Sequence, residues 1–178
     1  TLKEIAEHIG GTFNIDAEFT EVCIDSRLCK PGCLYIAIKG ENFDGHDFTA
    51  SAFANGASAA IVHHDVDADG PMLRVEDTHK ALMALAHWYR TTFDIPVVGL
   101  TGSVGKTTTK EMTWFVLNEK FNALKTEGNL NNNIGLPRTL LRMDEDTQAA
   151  VIEMGMSNRG EISELSLIAE PTIAIISN

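Results

Sequence analysis

The chain has 178 residues, enough for one or two domains, and its 44% hydrophobic and 22% charged content is that of an ordinary soluble globular protein. A formal net charge of −11 argues against nonspecific binding to nucleic acid or an anionic membrane, so a phosphate ligand must be held by local donors. No apolar run approaches the roughly 18–20 residues of a membrane span, and Thr1-Leu2-Lys3-Glu4-Ile5 lacks the basic and apolar regions of a secretory signal.

Leu2, Ile5, Ala6 and Ile9 recur at helical spacing, which predicts a short helix stopped by Gly10-Gly11. Strand candidates follow at 22–24, 34–38, 59–62 and 72–75, with a helix over 47–55 between the second and third. Asp77 is a plausible N-cap for a longer helix carrying Leu82, Leu85, Ala86 and Tyr89 on one face, and Met83, Trp88 and Phe93 add apolar bulk for a core. Cys23, Cys29 and Cys33 have no zinc-type spacing, and His46, His63 and His64 could join them in a metal site only if the fold brought them close. Reduced, mostly buried thiols of a cytosolic protein are the expectation.

The texture changes at Asp94-Ile95-Pro96, and a domain boundary is placed there, giving 1–94 and 95–178. The second part reads strand 95–101, loop, helix 106–119, an Asn-rich loop over 128–135, a short helix after Pro137, strand 149–153, helix 160–168 and strand 172–177. Strands alternating with helices predict an α/β fold with a parallel sheet covered on both faces. With three strands in about 84 residues this part is too small for a complete P-loop domain, and a truncated domain is the expectation.

Between the strand at 95–101 and the next helix stands Gly102-Ser103-Val104-Gly105-Lys106-Thr107-Thr108. A strand, a glycine loop, Lys-Thr and a helix make a cradle for nucleotide phosphates: loop amides and the helix N-terminus face the anion, Lys106 reaches the β/γ-phosphates, and the Thr107 hydroxyl can ligate Mg²⁺. The string is the shorter Gly-x-x-Gly-Lys-Thr, because Leu100 stands where a strict Walker A motif has glycine. Thr108 and Thr109 cap or line the helix start, and Met112, Phe115 and Val116 are expected as its buried stripe. Glu153 ends an apolar strand, which suits a Walker B-type carboxylate holding Mg²⁺ on the side of the sheet where the loop lies. The asparagines of 128–137 suit either a turn-rich helix lead or recognition of sugar hydroxyls and peptide groups. In the first part, Arg27 or Lys39 could bind a diphosphate or could sit in ordinary surface turns.

Together TGSVGKTTTKEM at 101–112, TEGNLNNNIGLPRTLL at 126–141, EMGMSNRGEI at 153–162, DSR at 25–27 and KGENFDGHDF at 39–48 resemble the Mur ligases, the cytoplasmic ATP-dependent amide-forming enzymes of peptidoglycan synthesis. The resemblance is to the branch that joins D-alanyl-D-alanine to UDP-N-acetylmuramoyl-tripeptide. The sister branch, which adds the third amino acid, typically reads TGTNGKTTT at the loop, where this chain has Ser103-Val104. The resemblance implies ATP and Mg²⁺, with Lys106, Thr107 and Glu153 at the transferring phosphoryl group and an acyl phosphate formed on the tripeptide. It also implies that Ser26, Arg27, Lys39, Gly40, Asp44, Gly45 and His46 face the UDP-sugar, and that Asn131 and Asn132 line the junction of substrate carboxylate and γ-phosphate. Residues 1–94 would then be a UDP-sugar-binding domain and 95–178 the first part of the ATP-binding domain, in a cytoplasmic monomer whose piece here does not complete the reaction. A His that some relatives carry near Asn158 is not present. The rival readings are the sister ligase and a P-loop kinase or GTPase with a binding module in front, though no Asn-Lys-x-Asp guanine-reading motif occurs.

Overall fold

The computed structural model describes residues 1–178, which divide into two compact units, Thr1–Leu85 and Ala86–Asn178. The division falls inside a helix, nearer the N-terminus than the texture change at Asp94.

The first unit opens with α1 (Leu2–Ile9), where Thr1 and Glu4 form a capping box and Leu2 and Ile5 are buried. Gly10, at φ 79°, ends it. Its strands are β1 (Thr12–Phe13), β2 (Glu21–Cys23), β3 (Cys33–Ile36), β4 (Ala57–Val62) and β5 (Met72–Arg74), in the order β1-β5-β4-β3-β2. All neighbours are parallel except β1 on β5. The inner strands β3 and β4 are nearly continuous apolar runs, as parallel strands covered on both faces require. A 3-10 turn (Gly45–Phe48) leads into α2 (Thr49–Ala54), whose Ala52 packs with Cys29, Cys33, Tyr35 and Ala60. The three cysteines are free thiols; Cys23 is half-buried and the other two are buried. Asp77 Oδ1 accepts from the amides of His79 (2.8 Å) and Lys80 (3.1 Å), so it caps α3 (Thr78–Thr91) as the sequence indicates.

The second unit has β6 (Val97–Gly102), α4 (Lys106–Asn118), β7 (Ala123–Lys125), α5 (Gly135–Leu140), β8 (Ala149–Glu153), α6 (Glu161–Ala169) and β9 (Ile173–Ser177). Its four strands are all parallel, in the order β7-β8-β6-β9. Arg90, buried at the end of α3, donates to the carbonyls of Ala169 (3.0 Å) and Phe93 (2.7 Å) and so pins the start and end of this unit together.

In the first unit the short β1 is absent from the sequence reading, and the second unit differs from that reading in detail. The sheet has four strands rather than three, because the short β7 gives too few residues for a period to show. The helix α5 begins at Gly135, so Pro137 is its third residue; the missing N–H costs nothing there, since first-turn amides have no intrahelical acceptor. The stripe of α4 is reversed: Met112, Phe115 and Val116 are 65%, 61% and 74% exposed, and the buried residue is Lys110, at 1%. Lastly, β9 is not covered on both faces; it is an edge strand with Ile176 80% exposed.

Candidate phosphate-binding site

The loop after β6 is shaped by two glycines. Gly102 has φ 148°, and a Cβ there would lie 2.2 Å from the Ser177 oxygens, so no side chain fits. Gly105, at φ 81°, is the N-cap of α4 and supplies no capping side chain. The neighbouring threonines do not supply one either, which leaves first-turn amides of α4 directed out of the helix. Thr107 and Thr108 are exposed beside it, as are Ser103 and Val104. The Lys106 ammonium folds back to donate to the Gly102 carbonyl at 2.7 Å, a contact an incoming phosphate oxygen can replace. Thr101 Oγ1 donates to the Met154 carbonyl (2.9 Å), tying the end of β6 to the residue after β8.

At the end of β8, Glu153 is 2% exposed. Its amide donates to Thr126 Oγ1 (2.9 Å) and its Oε1 accepts from Asn131 Nδ2 (2.9 Å). Its Oε2 is buried with no hydrogen-bond partner and lies 3.8 Å from the Lys110 ammonium. That ammonium is 3.2 Å from Glu111 Oε1, while Glu111 Oε2 takes a short charged contact from Lys125. The Lys125 contact, ahead of burial, holds the Glu111 carboxyl below its ordinary value. The one fully buried side chain of α4 is therefore a cation paired with carboxylates; Trp114 and Leu117 are half-buried, and Met112, Phe115 and Val116 turn outward.

The two readings of the Asn-rich loop separate residue by residue. Asn132 Oδ1 accepts from the Gly135 amide (2.8 Å) and so braces the start of α5, whereas Asn131 points at Glu153. Gly155 makes room for this: its amide donates to the Asn131 carbonyl (2.8 Å), and a Cβ there would sit 2.9 Å from the Asn131 side chain. Beyond β8, Glu161 accepts from the amides of Ser157 (2.6 Å) and Asn158 (3.1 Å), which fastens the turn before α6. A cleft of about 500 Å³ brings Lys106 together with Asn131, Asn132, Gly155 and Asn158. Sequence reasoning missed Lys110, Thr126, Gly155 and Glu161 here. Lys110, four residues after Lys106 on the same helix face, was the one with a visible signal.

In the first unit the predicted residues lie beyond the C-terminal ends of β2 and β3. Arg27 is exposed and bound by a fork to Asp25 (2.9 and 2.7 Å). Lys39 is exposed, 3.7 Å from Asp44, and its carbonyl accepts from His79 Nε2 at 2.9 Å. Gly40 closes the 39–44 turn through its amide on the Phe43 carbonyl (2.9 Å). Ser26 and His46 are buried, and Gly45 is packed so tightly on Ile38 that a Cβ would come within 2.7 Å of its backbone. Ser26, Gly45 and His46 thus shape these turns, while Arg27 and Lys39 present charge. Asp44 binds the His46 ring (2.6 Å) and amide (3.0 Å); burial opposes its ionisation, but these bonds and the nearby cations outweigh it and bring its pKa to about 2.

A parallel sheet, a glycine loop opening a helix with bare first-turn amides, and a buried carboxylate one strand away define an α/β protein of the phosphate-loop class. The comparisons narrow this further. The model of the Mur ligase middle domain matches residues 100–178, and that of the Mur ligase family, catalytic domain, matches residues 18–90. The chain belongs to the Mur ligase family. It is 44% identical over 179 residues to the UDP-N-acetylmuramoyl-tripeptide–D-alanyl-D-alanine ligase of Escherichia coli K12, covering 100% of this chain and 40% of that protein. Among solved structures it is similar to MurF from Acinetobacter baumannii, with TM-score 0.94 and 39% identity over 99% of this chain and 40% of that one. It is also similar to the MurF ligase from Thermotoga maritima in complex with ADP, with TM-score 0.81 and 37% identity over 88% of this chain and 36% of that one. The chain thus spans about 40% of the length of the relatives it matches.

Proposed function

We propose that this chain is the leading part of an ATP-dependent amide ligase of peptidoglycan synthesis, which joins D-alanyl-D-alanine to UDP-N-acetylmuramoyl-tripeptide in the cytoplasm as a monomer. The reading rests on one observation above all: Lys106 shares a cleft with Asn131, whose amide holds Glu153. In this reading residues 1–94 bind the UDP-sugar, with Arg27 and Lys39 toward the diphosphate, and residues 95–178 begin the ATP-binding domain. Lys106 and the amides of 102–108 hold the γ-phosphoryl group and stabilise its charge during transfer to the tripeptide carboxylate. The D-alanyl-D-alanine amine then displaces phosphate from the acyl phosphate. The residues fit Mg²⁺: Glu153 Oε2 is a buried hard oxygen donor with no hydrogen-bond partner, and the exposed Thr107 hydroxyl is a second. Bound there, the ion would neutralise charge on the β- and γ-phosphates. Ser103-Val104, where the sister branch typically reads Thr-Asn, favours this reading over the sister ligase.

The test is phosphate release by the full-length protein carrying this chain, given ATP and UDP-N-acetylmuramoyl-tripeptide, with and without D-alanyl-D-alanine. Release that depends on the dipeptide is expected. Release indifferent to it, or dependent on a free diamino acid, would overturn the assignment.

A further inference from the structure

Three imidazoles meet where β4 ends. His46 comes from the turn after β3, while His63 and His64 follow Val62 directly. The His46 ring centroid is 4.1 Å from each of the other two, which are 5.0 Å apart. One ring nitrogen of each lies within 4.8 Å of those of the other two. We propose that His46, His63 and His64 form a binding site for a divalent transition metal of the zinc class, with Asp44 as its supporting carboxylate.

The hydrogen bonds set the tautomers such a site needs. Asp44 lies 2.6 Å from His46 Nδ1 and accepts its proton, so Nε2 carries the lone pair; consistently, Nε2 accepts the His63 amide at 3.0 Å. A carboxylate behind a ligating histidine orients the ring and raises its basicity. His64 Nδ1 donates to the Asp65 carbonyl at 2.9 Å, which leaves Nε2 bare, 3.7 Å from Asp44 Oδ2. His63 Nδ1 is 3.3 Å from Thr78 Oγ1, which can take its proton and free Nε2. All three rings can therefore offer Nε2 together.

Charge and distance set the metal class and the strength. The three rings come from two neighbouring turns, and their nitrogens lie within 4.8 Å of one another. Asp44 adds one negative charge, partly offset by Lys39 at 3.7 Å. Nitrogen donors suit zinc, cobalt, nickel or copper rather than magnesium or calcium. Zinc–nitrogen bonds of about 2.0–2.1 Å require nitrogens roughly 3.4 Å apart, so the rings must draw in by about 1 Å. His63 and His64 are not buried and can make that movement. His46 Nε2 must release the His63 amide, which weakens the site. Three protein donors leave a fourth position open to water or a phosphate oxygen. The buried thiols lie elsewhere in the unit's core, and burial pushes the Cys29 thiol well up, so they do not compete.

The test uses the chain after chelator treatment, titrated with Zn²⁺ and Co²⁺ near neutral pH by calorimetry and by the Co²⁺ visible spectrum. One equivalent should bind with micromolar affinity, with nitrogen–oxygen ligation in the spectrum and no heat from Mg²⁺. His64→Ala, on the exposed ring, should weaken binding at least about tenfold, and Asp44→Asn by about 10–100-fold. The double variant His63→Ala/His64→Ala should not bind, while its circular dichroism stays that of the parent. Absence of saturable binding below millimolar Zn²⁺, unchanged affinity in the double variant, or a thiolate-to-cobalt charge-transfer band would each overturn the site.

Discussion

Replacing Lys110 by Met tests whether the inward face of α4 is held by charge. Methionine keeps much of the aliphatic volume and removes the ammonium that lies 3.2 Å from Glu111 and 3.8 Å from Glu153. Glu111 is partly exposed and keeps Lys125, so it loses little. Glu153, 2% exposed, is left with Asn131 as the one hydrogen-bond donor to its carboxylate. Stranding a buried charge in this way costs about 3–5 kcal/mol, and the Asn131 bond places this case near about 3 kcal/mol. That is a large part of a stability of about 5–15 kcal/mol. Urea unfolding followed by Trp114 fluorescence measures it, since Trp114 is on α4 with the Lys125 ammonium 3.7 Å from its ring centroid. The double variant Lys110→Met/Glu153→Gln removes both charges and should return to within about 1 kcal/mol of the parent. A loss under about 1 kcal/mol in the single variant, or a double variant no more stable than the single, would refute the reasoning.

Gly155→Ala should press on the Asn131 side chain, 2.9 Å away, break its bond to Glu153 and cost about 1–3 kcal/mol in the same urea assay; an unchanged midpoint would mean that the loop yields freely. Lys106→Ala should leave stability within about 0.5 kcal/mol, because the ammonium touches only the Gly102 carbonyl, yet abolish ADP binding by calorimetry; undiminished binding would remove Lys106 from the site. Acid should weaken the first unit in two stages. The depressed pKa of His46 gives stability that is present above about pH 6.5 and lost as pH falls below it. Asp44, depressed from 3.8 to about 2, contributes about 2 kcal/mol that is present above about pH 4 and lost on the way to its folded pKa. A urea midpoint that stays flat from neutrality to about pH 3 would contradict both.

The elements that position the site were legible because their signals are local. The apolar run of β6, the glycines after it and the run ending at Glu153 each fall within a few residues, and the structure reproduces β8 as Ala149–Glu153. The face of α4 was not legible, for a physical reason. Periodicity assigns apolar residues inward, but here Lys110 is buried because Glu111 and Glu153, the latter from a distant strand, neutralise it, and a one-dimensional pattern does not carry that pairing. The very short strands β1 and β7 escaped because they are defined by partners rather than by composition. The division of labour between Asn131 and Asn132 was likewise hidden, since identical side chains differ only in what stands opposite them. The histidine cluster required the register of β4 on β3 to appear at all.

The contact between Gly102 and Ser177 constrains how this sequence can vary. Ser177 Oγ donates to the Val104 carbonyl at 2.8 Å, so the end of β9 gives the loop after β6 its outline, and the space for that contact exists only because position 102 has no side chain. Because the Ser177 backbone oxygen itself would lie 2.2 Å from a Cβ at 102, no exchange of the side chain at 177 makes room there, and position 102 should be glycine among relatives whatever stands at 177.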